Sequence, residues 1–291
     1  MSEARLVADV RNGLGEGPVW SPADQTLFWT DIHARRLWSY TPGTGETRSW
    51  EAPDRIGSFT FRRDGSLVAA FARGFAVWTP DGGPPEFLHA FEPDKPTTRL
   101  NDGRCDRQGR FVVGGMDEAS PRRPISSVWR LNPDRSVERL ISDVTISNSI
   151  CFSPDGRTMY FADTPERVIR AYDYDPATGR LGAGRVFHAL PPGPGTPDGS
   201  TVDAEGFLWN AEWGAGRVVR YAPDGRVDRI VAVPTRQPSC PAFGGPDLTT
   251  LYITSARFEM SDDQLAADPH AGSLFAIETD VRGLPEPMFA G

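Results

Sequence analysis

A short phrase recurs six times along this chain, and each copy leads through an alternating apolar run into a turn and a second apolar run. Four copies open on an oxygen-bearing side chain. They are Glu16-Gly-Pro-Val-Trp-Ser-Pro, Asn101-Asp-Gly-Arg-Cys-Asp, Asn148-Ser-Ile-Cys-Phe-Ser-Pro-Asp-Gly and Asp198-Gly-Ser-Thr-Val-Asp-Ala-Glu-Gly. Aligned on their turns, the six units place Glu16, Gly57, Asn101, Asn148, Asp198 and Cys240 at one shared position. The period, roughly 40 to 50 residues, lies in the range of propeller blades.

The turns fall at Ala23-Asp24, Asp64-Gly65, Gln108-Gly109, Asp155-Gly156, Glu205-Gly206 and Pro246-Asp247. Asp-Gly and related pairs favour hairpins because glycine accepts a positive φ without a Cβ clash. Strand-like runs follow each turn, for example Leu27-Phe-Trp-Thr, Phe111-Val-Val-Gly and Leu251-Tyr-Ile-Thr. Third strands such as Arg36-Leu-Trp-Ser-Tyr and Arg217-Val-Val-Arg-Tyr alternate apolar and polar residues, as half-buried strands do. The expected fold is all-β: a six-bladed β-propeller of four-stranded antiparallel blades. Stacking the blades radially buries each sheet against the next, and ring closure leaves only short edges. The segment Arg5-Leu-Val-Ala-Asp-Val has no blade of its own and is expected to join the last blade as its outer strand. A sandwich or barrel explains short strands but gives no reason for six similar phrases.

Length alone suggests about two domains, but the repeats span the sequence without a Pro/Gly/Ser-rich linker, so residues 1–291 are expected to form a single domain. A formal net charge of −8 with no basic run argues against nucleic-acid binding. No apolar stretch approaches the roughly 18 residues that span a bilayer, and the N-terminus lacks a charged region followed by an apolar one. The expected location is cytoplasmic, with no membrane partner and a monomer as the default. Cys105, Cys151 and Cys240 are odd in number and unclustered, and read as small buried thiols. His33, His89, His188 and His270 show no zinc-hydrolase spacing, and neither a Gly-x-Ser-x-Gly elbow nor a phosphate-cradling loop is present.

The first strand of each blade would begin at one mouth of a central channel, bringing Glu16, Asn101, Asn148 and Asp198 to that mouth. Any one of them alone reads as a turn residue; their shared register favours an oxygen-lined site for a hard divalent cation. Two carboxylates and neutral amides would leave such an ion nearly neutralised yet able to polarise a carbonyl. Arg99 projects to the same side as Asn101 under a strand's period of two, where a guanidinium could hold a substrate carbonyl or hydroxyl. The trio Asp94, Lys95 and Arg99 also reads as an exposed charged loop, the better reading of the three together.

The phrases Leu14-Gly-Glu-Gly-Pro-Val-Trp, Arg99-Leu-Asn-Asp-Gly, Asn148-Ser-Ile-Cys-Phe-Ser-Pro-Asp-Gly and Pro197-Asp-Gly, with the late Phe243-Gly-Gly-Pro-Asp-Leu, resemble the SMP-30/gluconolactonase/regucalcin family over essentially the whole chain. The resemblance implies a six-bladed propeller that hydrolyses sugar lactones with one catalytic divalent cation (Ca²⁺, Zn²⁺, Mn²⁺, Mg²⁺ or Fe²⁺). It implies Glu16, Asn148 and Asp198 as metal ligands, Asp198 as the acid/base group, and Arg99 and Asn101 as substrate contacts. One departure stands out: many members carry an acidic pair after a Gly-Thr-Met phrase, where this chain reads Gly115-Met-Asp-Glu-Ala. Asp117 or Glu118 is expected to supply a substrate-binding carboxylate there. L-arabinono-, D-xylono- and gluconolactone are the expected small-molecule substrates. The alternatives are a propeller esterase or organophosphate hydrolase, and a non-catalytic calcium-binding propeller.

Overall fold

The computed structural model describes residues 2–291. By contact density the chain divides into two units, one running to Ser49 and resuming over Leu190–Pro285, the other comprising Trp50–Ala189 and Glu286–Gly291.

The first unit holds three sheets. One is built from Gly15–Ser21, Thr26–Asp31, Arg36–Thr41 and Glu46–Glu51, the last strand running across the boundary between units. The next comprises Thr196–Val202, Leu208–Trp213, Arg217–Tyr221 and Val227–Ala232. The last comprises Pro238–Gly244, Thr250–Ser255 and Leu274–Glu278, completed by the N-terminal strand Arg5–Ala8. Arg5 lies opposite Ala276 and Leu6 opposite Phe275 in an antiparallel pair, as the unassigned N-terminal segment led us to expect. Ser2–Glu3 goes further and pairs in parallel with Val227–Ala232, so that one sheet has five strands rather than four.

The second unit holds the sheets Ile56–Phe61 to Glu86–Ala90, Thr98–Cys105 to Val137–Val144, and Ser147–Phe152 to Leu181–Ala189, each four strands in chain order. Taken with the first unit's three, these are the blades of a six-bladed β-propeller. One short α-helix, Asp262–Ala267, interrupts the strand pattern. Ser261 and Gln264 cap it reciprocally, each side chain accepting from the other's backbone N–H.

The hairpins between first and second strands fall where the turn pairs stand. Gly65, Gly109, Gly156 and Gly206 take φ of 85°, 80°, 69° and 85°, and in the first hairpin Gln25 takes 51°. Within each unit the inner three strands of the sheets feed the core. Trp209, Phe243, Leu251 and Phe275 pack together in the first unit, and Val68, Phe75, Phe111 and Leu131 in the second. Burying eight to eleven such side chains in each of the larger clusters, at ~2 kcal/mol apiece, is what holds neighbouring sheets together. Cys105, Cys151 and Cys240 are free and buried, as expected. No described helix is long and apolar enough to cross a membrane.

Candidate active site

The first strands of the six sheets share one irregularity, and the aligned positions sit on it. Glu16 pairs with Thr30 and Val19 with Phe28, so two residues face one. The same two-against-one step separates Leu100 from Gly103, Asn148 from Cys151, Pro197 from Ser200 and Pro238 from Pro241, and a one-residue insertion separates Ile56 from Ser58. Glu16 and Asn148 are the last paired residues before their bulges; Gly57, Asn101, Asp198 and Cys240 lie inside theirs. A bulge bends the strand and re-aims its side chains. Gly17 and Ser149, the residues after Glu16 and Asn148, take φ of 55° and 60°. For Ser149 this is a left-handed conformation that a non-glycine residue holds only where its surroundings impose it.

In the second unit, Arg99, Asn101, Asn148 and Glu118 form one hydrogen-bonded array. Arg99, 3% exposed, donates from Nη1 to Asn101 Oδ1 at 2.7 Å and to Leu100 O at 3.0 Å, and from Nε to Glu118 Oε1 at 3.0 Å. Asn101 Nδ2 donates to Ser147 O at 2.9 Å and reaches Asn148 Oδ1 at 3.4 Å. Asn148 Nδ2 donates to Thr164 Oγ1 at 2.8 Å, which fixes the amide and turns its oxygen toward Asn101. The exposed-loop reading of Asp94, Lys95 and Arg99 is therefore corrected at Arg99, which lies in the buried part of its strand with Nε and Nη1 bonded to Glu118, Leu100 O and Asn101.

The two acidic residues after Met116 part company. Glu118 reaches Arg99 and also accepts both Nη groups of Arg55, at 2.7 and 2.9 Å. Burial alone would raise its carboxyl, but the hydrogen bonds from Arg55 and the charge of Arg99 hold it below the usual range. Asp117, fully buried, turns instead to the following loop, where Ala119 N, Arg123 N and Arg123 Nε donate to it. Against the cost of burial, Arg123 and Thr97 hold its carboxyl at about 2. Asp102, next to Asn101, accepts from Ile150 N at 2.7 Å and so ties the Asn101 bulge to the Asn148 bulge. Burial pushes its carboxyl up to about 6.

In the first unit, Glu16 and Asp198 are buried, at 9% and 6% exposure. Glu16 Oε2 accepts from Gly17 N at 3.1 Å. The Asp198 bulge is splinted by Asn210, whose Nδ2 donates to Asp198 O at 3.0 Å, Gly199 O at 3.3 Å and Ser200 Oγ at 2.9 Å. Cys240 packs on the same bulge: a Cβ on Gly199 would lie 2.4 Å from its Sγ, so only glycine fits.

Asn210, Asp31, Asp163 and Arg55 escaped the sequence reading. Asp31 accepts from Gly13 N and Leu14 N, and Asp163 from Thr145 N and Ile146 N. Each thereby pins the backbone two and three residues before a candidate ligand, Glu16 in one case and Asn148 in the other. The signal lay in the repeat, since both Asp residues end the second strand of their sheets; burial pushes the Asp163 carboxyl up.

Among the described residues no three His, Cys, Asp or Glu side chains gather as a metal cluster. The expected donors are instead two carboxylates and one carboxamide. Hard oxygen donors of this kind suit Ca²⁺, Mg²⁺ or Mn²⁺, and the fixed Asn148 amide presents its oxygen rather than its nitrogen.

Bulged blade strands that carry carboxylates, carboxamides and a buried guanidinium mark this chain as a propeller enzyme. The family model for the SMP-30/Gluconolactonase/LRE-like region matches residues 14–257, and the chain belongs to that family. It is 45% identical to the L-arabinolactonase of Azospirillum brasilense, over 99% of this chain and 96% of that one. It is 38% identical to a pentonolactonase of Haloferax volcanii, over 96% of each chain. The solved structure of a calcium-binding protein, regucalcin, from Agrobacterium tumefaciens matches with a TM-score of 0.94 at 34% identity, over 99% of this chain and 97% of that one.

Proposed function

We propose that this protein hydrolyses a pentonolactone, L-arabinono- or D-xylonolactone, to the aldonic acid, with gluconolactone as the competing substrate. Lactone hydrolysis itself makes it a carboxylic ester hydrolase, in keeping with the named lactonases among its relatives. The observation that carries the reading is the Arg99–Asn101–Glu118 array, an alternation of donors and acceptors suited to a hydroxylated ring.

In this reading Glu16, Asn148 and Asp198 hold one divalent cation. When bound, it supplies Lewis acidity at the lactone carbonyl. Asp198 accepts a proton from the attacking water as the new C–O bond forms, and returns it to the ring oxygen as the ester bond breaks. The Asn210 splint fixes the backbone that carries Asp198 during both transfers. Asn101 contacts the lactone, the buried Arg99 orients it through the Asn101 and Glu118 side chains that it holds, and the ionised Glu118 accepts from a ring hydroxyl. A labile ester needs only modest acceleration, and the reading includes no covalent nucleophile.

The test is turnover of a panel of aldonolactones, followed with a pH indicator, on chelator-stripped protein with single divalent cations restored. Cation-dependent hydrolysis of a pentonolactone is the expected result. No turnover of any lactone with any cation would sink the reading.

A further inference from the structure

We propose that Arg55 is a specificity-determining residue that reads a ring hydroxyl of the substrate jointly with Glu118; this rests on the lactonase reading above. Arg55 stands two residues before Gly57, as Arg99 stands two residues before Asn101, so the two arginines are equivalent positions in consecutive sheets. Both converge on one carboxylate. Arg99 is spent in the interior on Leu100 O, Asn101 and Glu118. The side chains of Arg55 and Glu118 are instead 31% and 32% exposed, and form the accessible edge of the same array.

The backbone fixes this edge in place. Ala72 N donates to Arg55 O at 2.8 Å, and Leu100 N donates to Ala72 O at 3.2 Å, so Arg55 is stitched to the strand that carries Arg99. Gly57 allows that closeness: a Cβ there would stand 2.6 Å from Leu100 O and Asn101 O. Beyond Glu118, the Arg55 guanidinium makes no side-chain hydrogen bond among the described residues, which leaves Nε–H and outward N–H groups to donate. A hydroxyl both donates and accepts, so an ionised carboxylate beside a guanidinium matches it on both counts. The ligand class is therefore a polyhydroxylated lactone, with the contacted hydroxyl on a ring carbon other than the carbonyl carbon.

The experiment compares wild type, Arg55→Ala and Arg55→Lys on an aldonolactone and on its single-deoxy analogues, with the cation restored. Arg55→Ala should cut kcat/KM for the full substrate roughly ten- to hundredfold, mostly through KM, as loss of a charge-assisted contact does. It should leave one deoxy analogue nearly unaffected, and Arg55→Lys should fall between, because a point charge cannot replace the fork. Equal losses on every analogue would reduce Arg55 to a structural role and overturn the proposal. Wild-type turnover with unchanged selectivity in both variants would overturn it alone; an inactive wild type would remove the lactonase reading and this inference together. If Arg55→Ala fails to fold, Arg55→Lys carries the same comparison.

Discussion

Asn210 Nδ2 lies 3.0 Å from Asp198 O and 3.3 Å from Gly199 O, so one buried amide holds a bulge that the strand ladder leaves unpaired. Asn210→Leu removes these bonds and leaves buried carbonyls without a donor, at a cost of about 1–3 kcal/mol. Urea unfolding should register that loss. Turnover should fall more than KM rises, because the variant loosens the acid/base residue and not the substrate contacts. Asp198→Ala, by contrast, should reduce turnover by at least about a hundredfold while keeping the native circular dichroism. Full activity in Asp198→Ala would remove Asp198 from the chemistry.

Gly57→Ala tests whether close approach of two strands matters for the array. The added Cβ would stand 2.6 Å from Leu100 O and Asn101 O and 2.9 Å from Asn101 Cα, all of them backbone atoms that cannot swing aside. The strands must separate, at roughly 1–3 kcal/mol as for other overpacked sites. Because Asn101 and Arg99 ride on the displaced strand, KM should rise in the same variant. Gly43→Ala, at a turn where a Cβ meets nothing within 4 Å, is the control and should change neither quantity.

The paired acids predict opposite phenotypes. Glu118→Gln keeps shape but removes the charge that Arg55 and Arg99 grip, so KM should rise about tenfold with little loss of stability. Asp117→Asn should leave KM alone and lower stability. Its folded carboxyl sits at about 2, below the unfolded value near 3.9, so its contribution is present above about pH 4 and fades as pH falls toward about 2. Melting curves from pH 2 to 6 should therefore separate wild type from Asp117→Asn at the upper end and bring them together at the acid end. Curves that stay parallel would assign the loss to packing instead.

The blades and their turns were legible in the sequence because each repeats, the Asp-Gly hairpins and the period-two runs occurring often enough to align, and the closing N-terminal strand because the repeats left it without a blade. Glu16, Asn148 and Asp198 could be aligned for the same reason. The bulges beneath them could not be seen, since a two-against-one pairing depends on the partner strand and leaves no composition of its own. Asn210 and Asp31 were missed because each acts on backbone groups of another strand, through contacts set by pairing register. Arg99 was read two ways, beside Asn101 on a strand and with Asp94 and Lys95 in a charged loop; the strand begins at Thr98, so only the first reading holds for it. Asp117 and Glu118 could not be told apart because the strand ends at Asp117, and only the fold decides which of the two turns toward Arg99.

Asp102 offers a pH test of the link between the Asn101 and Asn148 bulges. Its carboxyl, pushed up to about 6 by burial, accepts from Ile150 N at 2.7 Å, with the Arg104 charge lowering it in part. An unfolded Asp titrates near 3.9, so between these values the folded protein binds the extra proton. Stability should then be fully present below about pH 4, decline as pH rises toward about 6, and stay at the lower level above it. Asp102→Asn keeps an oxygen for Ile150 N and carries no charge, so it should remove this slope and match or exceed wild type at pH 7.5, by up to on the order of 3 kcal/mol. Asp102→Ala keeps neither feature and should both destabilise the fold and raise KM, since the two bulges lose their tie. Urea midpoints for the three proteins from pH 4 to 8 decide the matter: a slope that persists in Asp102→Asn would assign the titration to another group.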